Sequence, residues 1–83
     1  MPQKPISGAR RRLKAAHESL ARAQHNVESM EAMLARMKAA GEATGVAEDL
    51  LEQFKQVVAS RTKTHEHADV ELERLQAAQA ERQ

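Results

Sequence analysis

The stretch ISGARRRLKAAHESLARAQHNVESMEAMLARM, residues 6–37, decides the fold. Its apolar residues Ile6, Ala9, Leu13, Ala16, Leu20, Ala23, Val27, Met30, Leu34 and Met37 follow one another at alternating steps of three and four. That alternation is the a/d seam of a heptad repeat, the pattern by which one helix packs along another. A second seam runs through Ala47, Leu51, Phe54, Val58, Arg61, His65, Ala68, Leu72, Leu75 and Gln79, at steps of four and three. Between the two lies Gly41-Glu42-Ala43-Thr44-Gly45. Gly41 suits the left-handed position that ends a helix, and Lys38 in the last turn complements the negative end of the dipole. Thr44 or Gly45 suits the cap of the next helix, with Glu48 and Asp49 in its first turn. The expected fold is all-α: a long antiparallel two-helix hairpin, coiled-coil-like, with helix 8–40, loop 41–45 and helix 46–80. Residues 1–7, which contain Pro2 and Pro5, are expected to form a flexible leader, with Ser7 as the first N-cap.

Folded about residue 43, the seams register. Leu34 meets Leu51, Val27 meets Val58, Leu20 meets His65, Leu13 meets Leu72 and Ile6 meets Gln79. Charge agrees with this pairing. Residues 1–40 hold eight basic and three acidic side chains, a net of +5, and residues 41–83 hold five and nine, a net of −4. Near the loop the apolar stripe widens, because Met33, Ala40, Leu50 and Val57 add a third column at the g positions. Two helices cannot cover three columns. The hairpin is therefore expected to pair into a homodimer, a dimeric four-helix bundle, or to dock on another protein.

Composition excludes several classes. Eighty-three residues make one small domain. With no Cys there is no disulfide and no thiolate metal site. Phe54 is the only aromatic residue, too few for a base-stacking platform. The apolar runs are far too short for a membrane span, and Met1 to Arg12 lacks the apolar region of a secretory signal. The expected location is cytoplasmic.

Four groups are candidate sites. Met33, Met37, Leu50, Phe54 and Val57 form an apolar cluster near the loop, either core and dimer interface or an adaptable docking surface for a protein. Arg10, Arg11, Arg12 and Lys14 form a dense basic cluster. It can contact nucleic-acid phosphates, or it can pair internally with Asp69, Glu71 and Glu73. Arg61 and His65 place polar groups in the seam, where such residues fix register or make a pH-sensitive contact. Neither has an evident seam partner, so their heads are expected to reach outward to Glu18 or Glu66. His17, His25, His65 and His67 have no i,i+3 or i,i+4 partner of their own kind, so no metal site is expected. Ser19, Ser29 and Ser60 lie on helical stretches without a catalytic elbow, and no Gly-rich phosphate loop exists. Neither an enzymatic activity nor a cofactor is expected.

Met37, Ala40, Gly41, Thr44, Ala47, Leu50, Leu51 and Phe54 resemble a pattern found in short helical-hairpin proteins of proteobacteria. That resemblance implies a helix-loop-helix and carries no chemistry. The expected function is a non-enzymatic protein–protein interaction module: a small scaffold, adaptor or regulatory subunit. The alternative is a nucleic-acid-binding regulator using the basic start of the first helix.

Overall fold

The computed structural model describes residues 4–81. Helix α1 spans Lys4–Ala39 and helix α2 spans Gly45–Glu81. They pack side by side as a rod of 65 × 13 × 13 Å. The antiparallel hairpin follows from what happens at residues 40–44. Gly41 takes φ +73°, the left-handed conformation that a side chain disfavours. Its N–H donates to the Lys38 carbonyl at 3.1 Å, and the Glu42 N–H donates to the Met37 carbonyl at 2.9 Å. These two bonds form a Schellman motif and satisfy carbonyls that a helix end otherwise leaves bare. Thr44 caps α2, its carbonyl accepting from the Glu48 N–H at 2.8 Å. Its hydroxyl donates to the Glu48 carboxylate at 3.3 Å, which holds that charge at the positive end of the helix.

Helix α1 begins four residues before the expected start at Gly8, so residues 4–7 are helical and Ser7 is not a cap. Pro5 falls in the first turn, where its missing N–H removes no helical hydrogen bond and its fixed φ is already helical. Ile6 and Ala9 are 8% and 1% exposed, and burying them extends the helix toward the terminus. Residues 1–3 of the expected leader lie outside the described residues.

The seams are the contact surface. All ten α1 seam residues are buried or half-buried, and so are all those of α2 except Arg61. In heptad terms Ile6 and Leu51 are a positions, and Ala9 and Ala47 are d positions. Three contacts fix the register: Arg12 to Glu71, Ser19 to Arg61, and His17 to His65. Leu13 and Leu72 line one groove, and Val27 and Val58 line another, as the expected pairing requires. The buried set is Ile6, Ala9, Ala16, Ala23, Leu34, Ala47 and Ala68. Five of the seven are alanines, so the larger Leu, Met, Val and Phe side chains of the seam, Leu34 apart, remain half-open. Two helices alone leave the hydrocarbon of this repeat incompletely covered.

Candidate functional site

In an antiparallel pair the g columns of both helices lie on one flank and the e columns on the other. The two flanks of this hairpin differ in chemistry. The e flank carries Arg10, His17, Gln24, Glu31 and Lys38 on α1, and Glu48, Lys55, Thr62, Asp69 and Gln76 on α2. The register places Lys38 by Glu48 and Glu31 by Lys55, opposite signs side by side. Glu31 and Lys55 line one groove there, and Arg10, Lys14, His17 and His65 line another. This flank is a solvated, charge-matched surface.

The g flank carries Arg12, Ser19, Asn26, Met33 and Ala40 on α1, and Leu50, Val57, Thr64, Glu71 and Ala78 on α2. Facing pairs grade from apolar to charged along the rod. Met33 lies by Leu50 nearest the loop, then Asn26 by Val57, Ser19 by Thr64, and Arg12 by Glu71. Met33, Leu50 and Val57 are 44%, 37% and 41% exposed, large values for apolar side chains on one face. Farther out, Arg12 Nη2 donates to Glu71 Oε1 at 2.6 Å. It is the one ion pair closer than 4 Å among the described residues, with side chains 55% and 38% exposed. A groove of about 580 Å³ runs between these ends. Ala15, Ala16 and Ala68 floor it, and Arg12, Ser19, Arg22, Arg61, Thr64 and Glu71 edge it. The next groove holds Val57 together with Ser19, Arg22 and Arg61, so the apolar and polar segments form one continuous surface.

The expected site residues divide between these surfaces. Met33, Leu50 and Val57 stand open on the g flank, whereas Met37 and Phe54 are half-buried seam residues between the helices. Arg10, Arg11 and Arg12 occupy e, f and g, so successive 100° steps spread them over about 200° of the helix surface. Of these, Arg12 takes the internal ion pair, and Arg10, Arg11 and Lys14 are exposed.

Two seam residues find partners that sequence spacing did not disclose. Arg61 does not reach outward to Glu18 or Glu66. Its Nη1 crosses the hairpin and donates to Ser19 Oγ at 2.6 Å. Thr62, half-buried, donates its hydroxyl to the Val58 carbonyl at 2.8 Å beside it. His65 lies against His17, ring centroids 5.7 Å apart and tilted by 49°. A search for His pairs along one helix misses this one, because it forms across two. The signal was the e position one turn from Leu20, the residue registered with His65. Among the described residues no group of three or more His, Asp or Glu is placed to hold a metal ion, and no helix is long and apolar enough to cross a membrane.

No protein-family model matches the chain, and no curated protein or solved structure matches it either.

Proposed function

We propose that this hairpin is a non-enzymatic protein–protein interaction module whose g flank joins it to a second copy in a dimeric four-helix bundle. The observation that carries the reading is the exposure of Met33, Leu50 and Val57 in one line on a rod whose buried set is mostly alanine. Covering the exposed part of each contributes about 1 kcal/mol, and a symmetric pair covers each twice. The same contact closes the half-open seam from outside. The ion pair of Arg12 with Glu71 favours this reading over a phosphate-binding face, because it withdraws one of the four cations of the basic cluster.

Light scattering on a size-exclusion column, across a dilution series into the low micromolar range, tests it. The expected mass is that of two chains. Leu50→Glu with Val57→Glu is expected to weaken the association about 100-fold, since each change places unpaired charge in the contact. A helical, stable monomer at every concentration overturns the proposal.

A further inference from the structure

We infer that the second copy docks with its loop at the same end, each α1 lying over the partner's α2. The inference rests on the self-association proposed above and specifies its geometry. Two two-fold arrangements bring the g flank face to face with itself. In one, the axis runs along the rod, the loops adjoin, and α1 of each copy faces α2 of the other. In the second, the axis runs across the rod, the loops point apart, and like helices face each other.

The grading of the flank separates the two. With loops together every layer meets its own kind. Met33 packs against the partner's Leu50, and Ser19 faces the partner's Thr64. Arg12 and Glu71, already paired at 2.6 Å, meet the partner's Glu71 and the partner's Arg12 in a square of alternating charge. With the rods reversed and fully overlapped, Met33 and Leu50 lie against the Arg12–Glu71 ion pair. Hydrocarbon then strips water from two charges without offering either a new partner, which opposes association.

Net charge makes the same choice independently. The half containing α1 carries +5 and the half containing α2 carries −4. Loops together place positive helix over negative helix, whereas reversal stacks positive on positive and negative on negative. Arg22 and Arg61 do not discriminate, because they lie near mid-length and set cation against cation in both arrangements: Arg22 by the partner's Arg61 with loops together, and each by its own counterpart with the rods reversed. Size is adequate. A flank of a rod 65 Å long and 13 Å wide offers about 800 Å² per partner, the usual extent of a specific interface.

The chain has no Cys, so one substitution gives one labelling site. Glu42→Cys puts a spin label in the loop, and Ala77→Cys puts one at an exposed f position toward the other end. Distances between labels are measured by pulsed electron resonance on the full chain, with the mass of each labelled sample measured alongside. From helix dimensions, loops together give about 30 Å or less between the labels at 42 and about 40 Å or less between those at 77. Two results overturn the orientation alone: a dimer with the labels at 42 about 60 Å apart, or a half-overlapped dimer with those at 77 about 80 Å apart. A monomer with no distance between labels overturns the self-association on which the orientation rests.

Discussion

Gly41 and Gly8 are the same residue type put to opposite effect. At Gly41 the backbone must turn at φ +73° to release α1, so Gly41→Ala places a Cβ in a conformation that disfavours it. The expected loss is about 1–2 kcal/mol in urea unfolding followed by circular dichroism. Gly8 lies inside α1, where an added Cβ would meet only the far end of the Arg12 side chain, at 3.4 Å. Gly8→Ala therefore removes unfolded-state freedom at little cost and is expected to raise stability by about 0.5–1 kcal/mol in the same assay. The turn at Gly41 was legible from sequence because its cause is local: one residue tolerates a positive φ and others do not. The partners of Arg61 and His65 were not legible in the same way. A long polar side chain in a seam can leave along its own helix or cross to the other. Only the position of Ser19 and His17 one turn from the seam decides that it crosses.

At the scale of elements, the heptad spacing specified both helices, because period 3.5 admits one continuous contact line, and the short loop at 41–45 set their register. The start of α1 was hidden. Pro5 reads as a break in isolation, yet it is harmless in a first turn, and the burial of Ile6 supplies the reason to extend the helix. The d column explains why the helices fit closely. Ala16 and Ala68 face each other at 8% and 9% exposure, small residues on both sides of one layer. Ala68→Leu inserts three carbons into that layer of small residues. It is expected to cost about 1–3 kcal/mol in thermal unfolding despite its better apolar transfer energy. A neutral or stabilising result would mean that the layer is looser than its exposure indicates. The g flank was legible in part. Its apolar residues could be counted along the chain and Glu71 stood among three acids expected near the Arg cluster, whereas which acid Arg12 takes depends on side-chain geometry across the hairpin.

At the scale of the molecule, the same ion pair supplies a test of orientation that needs no label. Arg12→Glu alone places acids at positions 12 and 71 in every copy, and Glu71→Arg alone places cations there. With loops together, each single variant faces itself as a square of like charge, and each weakens its own dimer. Mixed together, the two complement each other. The introduced glutamate of one copy meets the introduced arginine of the other, and the unchanged Glu71 of the first meets the unchanged Arg12 of the second. An exposed pair contributes about 0–1 kcal/mol. Two restored pairs, and the like-charge contacts they replace, therefore favour the mixed dimer about tenfold over random pairing. Native mass spectrometry of an equimolar mixture, one chain isotopically heavy, reads that ratio directly, and added salt should erase much of it. In the reversed arrangement positions 12 and 71 face Met33 and Leu50, which are identical in both variants. The mixture would then pair at random, so a statistical distribution at low salt would place the loops at opposite ends.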